Sequence, residues 1–465
     1  MSDDDLERSL GLYPTLMISI GAMIGSGIFV LPAIGFAEAG PSVILAYLLA
    51  ALVVLPAALS KAELGTAMPE SGGDYIYIER ALGPLAGTVA GIGAWFSLTF
   101  KSAFALVGLG AYLLVLTPLG ATQITLVGLG LAVLIVVLNI SGTELTGEAQ
   151  AVVVTIVLVG LFAYVANAAW LATTGAEAAD PSRLSGIADS EPGIVFTAAA
   201  LVFVSYAGVT KIASVAEEVK HPDKNLPRGI LGSLGVMAVV YLGVIGSIVV
   251  LNPPAVLTTG GAHGASLTPM ADGANALFGG FGVPIVSALA IIALISMANA
   301  GVLSSSRFPL AMSRDNLLPD SLGVIDSRFK TPRNSILLTG SVLLLLIAFV
   351  PVITLAEMAS AFIIFVLSVI NLALIAFREA NLETYDPAFR APGYPVIQVV
   401  GTVAGFGMIV RLGLLPIVGA AGITVGGALI YFLYGRQRTD STSALGTILE
   451  GRRTDPQDVA PTEGD

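Results

Sequence analysis

The chain is organised by apolar segments about 20 residues long, the length a helix needs to cross the hydrocarbon core of a bilayer. They fall at 12–36, 41–61, 84–116, 122–140 and 149–173, then, after a polar stretch, at 193–215, 229–251, 282–309, 334–350 and 354–377, with two more at 395–414 and 416–434. In lipid each unpartnered backbone N–H or C=O costs several kcal/mol, so such segments satisfy their own backbone by forming helices. Twelve spans grouped five, five and two predict an all-α polytopic membrane protein. The composition agrees: 55% of residues are hydrophobic and 11% charged, where a soluble domain carries about 25% charge.

Basic residues set the orientation, because cytoplasmic loops keep Lys and Arg. With the N-terminus inside, only Arg183 and Arg411 of the 21 basic residues fall outside, and Lys101 alone lies deep within a span. A wrong span count would scramble this alternation, so both termini are expected on the inner side of the cell membrane. The acidic opening MSDDDLERSL has neither a basic n-region nor a small-residue cleavage site, so a removable leader is not expected. An odd number of spans per half turns the second half over relative to the first, the inverted-repeat layout of many secondary transporters. Residues 1–11 then form a cytoplasmic tail, 12–173 and 193–377 the two five-helix repeats, 395–434 two additional helices, and 435–465 a polar tail expected without order.

Other chemistry is absent. There is no cysteine, and the two histidines, His221 and His263, fall in loops, which removes disulfides, thiol chemistry and histidine metal sites. No metal and no cofactor is expected beyond a coupling ion. The spans hold no Cys, His or paired carboxylates away from their ends, so an intramembrane enzyme is not expected, and the polar tail is too short for the signalling domain of a transporter-like sensor. A net charge of −11, with six lysines against fifteen arginines, suits an organism adapted to high salt and offers no basic patch for nucleic acid. The expected partners are a small-molecule substrate and the bilayer; no feature names a protein partner.

Within this frame one stretch is anomalous. GAMIGSGIF, residues 21–29, puts three glycines in the middle of the first span, where an uninterrupted helix has no use for them. Open backbone at membrane depth is tolerated only where it is buried in protein or lines a cavity, and there it is ready to hold a ligand. The leading span of the second half carries a matching interruption: in LVFVSYAGVTKIASVAEEV, Ser205, Tyr206, Ala207 and Gly208 break an aliphatic run. Paired interruptions in corresponding spans point to a binding site between them.

Several stretches together resemble the amino acid, polyamine and organocation (APC) superfamily of permeases, over residues 12–434. GAMIGSGIF is similar to that family's unwound Gly-Ser-Gly segment. PESGGDYIYIERALGP at 69–84 resembles its loop and re-entrant helix between spans 2 and 3, and FVSYAGVTKIASVAEEVKHPDKNLPRGI at 203–230 its span 6 and cytoplasmic exit. SSSRFPLAMSRDNLLP at 304–319, followed by KTPRN at 330–334, resembles the end of span 8 and the loop to span 9. The resemblance implies a five-plus-five inverted-repeat (LeuT-like) fold that carries an amino acid or related amine by alternating access. On that reading the amides of Ser26, Gly27 and Ile28, after Gly25, suit a carboxylate. The carbonyls of Phe203, Val204 and Ser205, with those of Ala22 and Met23 and with Tyr206 and Gly208 beside them, suit an α-ammonium. Phe203 is either a lid over the substrate or an ordinary core contact.

Lys101 lies about 25 Å along span 3 from its start, too deep for easy snorkelling to the inner surface. Its ammonium either caps carbonyls within the bundle or works: replacing a coupling cation, carrying a proton, or repelling cationic substrates. Family members with a lysine in span 5 are not matched, since that span has none. Ser296 and Asn299 in span 8 are the candidates for a sodium site, against the plainer reading of hydrogen bonds between helices. The coupling ion, proton or sodium, stays open. Neutral amino acids are the expected substrates, because spans 1, 6, 8 and 10 place no carboxylate at midplane depth; a polyamine or organic-cation permease, the alternative, would want one.

Overall fold

The computed structural model describes residues 10–69, 73–117, 122–142, 147–187, 190–259, 265–380, 382, 385–436, 438 and 443–453. Residues 1–9, His263 and the tail beyond 453 lie outside the described residues. Among the described residues every regular element is helical. The chain runs α1 (Leu12–Met23), α2 (Ser26–Phe29), α3 (Leu31–Ala39), α4 (Val43–Ala67), α5 (Asp74–Leu82), α6 (Pro84–Leu116), α7 (Thr122–Ile140) and α8 (Gly147–Thr174). It continues as α9 (Pro192–Val202), a 3₁₀ segment (Phe203–Glu218) and α10 (Pro222–Leu251), followed by three short helices, α11 (Pro254–Thr259), α12 (Pro269–Asp272) and α13 (Ala274–Phe278). Then come α14 (Gly282–Arg314), α15 (Arg333–Phe349), α16 (Val352–Ala380), α17 (Val396–Arg411), α18 (Leu414–Ile430) and α19 (Ala444–Arg453).

Among the described residues, eight helical stretches are long and apolar enough to cross a membrane, and four shorter apolar helices accompany them: Leu12–Met23, Thr125–Ile140, Arg333–Phe349 and Val396–Arg411. The first of the eight, Leu31–Ala67, joins the end of the segment expected at 12–36 to the next one through a tight turn at Gly40–Ser42. Apolar runs alone do not predict the short α11 to α13, the amphipathic α5, or α19, which forms inside the tail expected without order, its Ala444 buried with Tyr77, Ile78 and Ala81 of α5.

The first span is broken twice. The α1 ladder ends with the Ile24 amide on Ile20 O at 2.8 Å, and Ile24 then turns extended, with ψ 118°. α2 lasts one turn before Val30 leaves helical geometry. Proline 32 supplies the reason for the second break: inside a continuous helix its ring would meet the carbonyl of Ile28, whereas in the first turn of α3 it fits. Span 6 does not unwind. It tightens, and its 3₁₀ segment is far longer than the three or four residues usual for that form, a departure that often marks a hinge. The two spans also meet at one end, where Leu10 pairs with Val219: the Leu10 amide donates to Glu218 O at 2.9 Å and the Lys220 amide to Leu10 O at 2.8 Å.

Candidate functional site

The two irregular spans touch backbone to backbone. A Cβ added at Gly208 would sit 2.3 Å from the carbonyl carbon of Ala22, and one at Gly27 would sit 2.8 Å from Ser205 Cα. Only glycine permits these approaches, so Gly27 of span 1 and Gly208 of span 6 serve one junction. Around it Ala22, Met23, Ser26, Ile28, Phe203, Val204, Ser205 and Tyr206 are all buried, as are Gly25, Gly27 and Gly208. The site is closed to solvent.

Broken helices leave carbonyls and amides without ladder partners, and each one left unpaired in a buried place costs about 1–3 kcal/mol. Here side chains from other helices supply the partners. Tyr47 of α4 donates its hydroxyl to Gly27 O at 2.7 Å and Tyr112 of α6 to Phe29 O at 2.8 Å, while Tyr241 of α10 shares its one proton between Met23 O at 2.7 Å and Ser205 O at 3.0 Å. Lys101 of α6 donates from Nζ to Ala22 O at 3.0 Å. At the junction of α9 with the 3₁₀ segment, Ser360 of α16 accepts the Val204 amide at 3.1 Å and donates to Leu201 O at 2.7 Å.

The amides divide differently from the expectation. Ile28 donates to Gly25 O at 3.0 Å, so its N–H is already satisfied. Ser26 and Gly27 open α2, where no intrahelical acceptor exists. The Ser26 amide points at a thioether, Met297 Sδ at 3.2 Å, and its hydroxyl lies 3.7 Å from the same sulfur. Met297 therefore covers the break from α14, one residue on from Ser296.

Lys101 is 5% exposed and, among the described residues, pairs with no carboxylate. A lysine at the centre of a membrane helix costs about 2.5–3.5 kcal/mol on insertion scales. Asn299 accepts from Asn139 Nδ2 of α7 at 2.8 Å, an ordinary bond between helices; Ser296 is half-buried beside Met297. Phe203 is 2% exposed in the first turn of the 3₁₀ segment.

Tyr47, Tyr112, Tyr241 and Met297 were missed in the sequence; Tyr206 was not. A tyrosine inside an apolar span is itself a signal, since its buried hydroxyl seeks a partner. Tyr47 and Tyr206 pack on either side of Tyr241, with ring centroids 5.2 and 5.0 Å away, and the Tyr206 hydroxyl has no hydrogen-bond partner among the described residues. Missed too was a polar knot away from the break. The buried Glu63 of α4 accepts both arms of the Arg378 guanidinium of α16, at 2.8 and 2.5 Å, the Tyr385 hydroxyl at 2.9 Å and the Ala391 amide at 2.6 Å. Nearby, Lys61 of α4 forms a buried ion pair with Asp74 of α5.

Comparison with known proteins agrees with this architecture. A profile described as amino acid permease matches residues 10–435. The chain is 30% identical over 460 residues to the branched-chain amino acid permease BcaP of Bacillus subtilis, covering 94% of this chain and 95% of that one. It is similar to two further proteins of that organism: the methylthioribose transporter, at 28% over 93% and 95% of the two chains, and the serine/threonine exchanger SteT, at 26% over 91% and 97%. The chain therefore belongs to the amino acid permease family and is a multi-pass membrane transporter rather than an enzyme.

Proposed function

We propose that this permease is a secondary transporter that moves neutral amino acids across the cell membrane by alternating access. The observation that carries this reading is the backbone contact between the two irregular spans, Gly27 on Ser205 and Gly208 on Ala22, where buried backbone departs from α-helix in both. In the proposed mode the substrate carboxylate takes the Ser26 and Gly27 amides. The α-ammonium takes the carbonyls of Ala22, Met23 and Ser205, with Phe203 and Val204 beside it. The eight long and four shorter apolar helices are read as twelve spans, five plus five inverted and two more, with both ends inside.

Cationic side chains are disfavoured because the junction offers them the Lys101 amine rather than a carboxylate. The same amine argues against a polyamine. Two relatives are named for branched-chain amino acids and for serine and threonine, all with uncharged side chains. Transport is driven by a proton or sodium gradient or runs as exchange. Uptake into proteoliposomes from a panel of amino acids, under imposed sodium and pH gradients in turn, tests both parts. Saturable uptake of neutral amino acids is expected; accumulation or exchange of none of them refutes the reading.

A further inference from the structure

The span 1 break is covered by two side chains from one packed helix pair, α6 and α14. Lys101 of α6 donates from Nζ to Ala22 O at 3.0 Å, and Met297 of α14 accepts the Ser26 amide on Sδ at 3.2 Å. In chemical terms these are the two ends of an amino acid's head group: an amine on a carbonyl and an acceptor on an amide. A carbonyl oxygen has a second lone pair, so hydrogen bonding alone leaves room for another donor at Ala22 O. Charge does not. Two ammonium groups on one oxygen, in a buried place where no carboxylate among the described residues pairs with the first, repel at close range. Lys211, in the 3₁₀ segment, adds a further positive charge on the same side of the balance.

We propose that Lys101 is a built-in competitor for the substrate's α-ammonium. Its Nζ fills the ammonium position of the empty transporter, and it leaves Ala22 O when an amino acid seats. The proposal rests on the reading of this break as the substrate site. The lysine stem has four carbons and freely rotating bonds, so it withdraws by changing rotamer without moving α6. Met297 is the neutral counterpart at the other end, displaced by the incoming carboxylate; its flexible thioether makes that exchange easy. The arrangement sets specificity in a particular way. A ligand with a carboxylate and no amine leaves Lys101 in place as its cation, whereas an amino acid binds only in the fraction of molecules from which Lys101 has withdrawn.

The test is a cycle between Lys101 and the ligand's amine. Binding of isoleucine and of its des-amino counterpart, 3-methylpentanoate, is measured on the purified full chain in detergent, for the wild type, Lys101→Met and Met297→Ala. Lys101→Met is expected to tighten isoleucine by about tenfold, the factor recovered when a competing state populated nine times in ten is removed, while 3-methylpentanoate is unchanged or weaker. Met297→Ala is expected to move both ligands together and leave their ratio as in the wild type. A ratio unchanged in Lys101→Met, or shifted toward the acid, overturns the proposal and leaves the substrate site standing. If folded wild type and variants bind no amino acid at all, the substrate reading fails and takes the proposal with it. Lys101→Gln carries the same expectation should the methionine variant not fold.

Discussion

At the scale of single residues the account rests on close approaches that only glycine allows. Gly208→Ala places a methyl group 2.3 Å from the Ala22 carbonyl carbon, backbone that has no side-chain freedom with which to give way. The cost expected is about 1–3 kcal/mol or more, read as a lower unfolding midpoint in detergent together with loss of transport. Gly246→Ala in α10, where nothing lies within 4 Å, is the control, expected to be neutral or stabilising by up to about 1 kcal/mol. Tyr241→Phe removes one hydroxyl that serves Met23 O and Ser205 O together. Losing the single proton these two carbonyls share costs about 1–3 kcal/mol and is expected to lower the midpoint more than Tyr13→Phe, whose hydroxyl is exposed. The glycines were legible because a glycine in a membrane span is anomalous by itself. Tyr241 and Met297 were not, because each takes its meaning from a backbone group on another helix, and no periodicity within one segment records that.

Among the elements, hydropathy placed what it can place. The expected segments 84–116 and 122–140 coincide with α6 and α7, in which apolar residues predominate. Span 6 shows the limit: interruption at 205–208 was read as an opening, yet the chain tightens into 3₁₀ geometry from Phe203, with Ser360 of α16 bridging the change of pitch. The Glu63 knot was hidden for a different reason. Its carboxylate stands near the end of α4, where a sequence reader expects a solvated face, while its partners come from α16 and from residues 385–391, far along the chain. Arg378→Met leaves that buried carboxylate without its guanidinium and is expected to cost about 3–5 kcal/mol; adding Glu63→Gln should recover part of the lost unfolding midpoint. In the loop between α14 and α15 the amides of Phe329 and Arg328 hold the Asp326 carboxyl below its ordinary range. Its contribution is therefore full above the unfolded value of about 3.9 and is lost as pH falls through the lower folded value. Hydrogen exchange at those two amides, corrected for the intrinsic rate, should lose protection on acidification in the wild type. Asp326→Asn should show no such transition.

For the whole molecule, the family and the class of activity were carried by the order and spacing of several motifs, and the permease profile spans the same stretch. The neutral-substrate proposal depends on which side chain reaches the junction: an amine from α6, Lys101, rather than a carboxylate. The central claim is that the junction built by Gly27 and Gly208 is where a neutral amino acid is carried. Counterflow of labelled isoleucine into proteoliposomes preloaded with unlabelled isoleucine tests it most directly, comparing the wild type with Gly27→Val, whose side chain would enter the space held by Ser205. Saturable counterflow is expected in the wild type, competed by other neutral amino acids, and none in a variant that still elutes as a folded protein. Equal counterflow in both would contradict it.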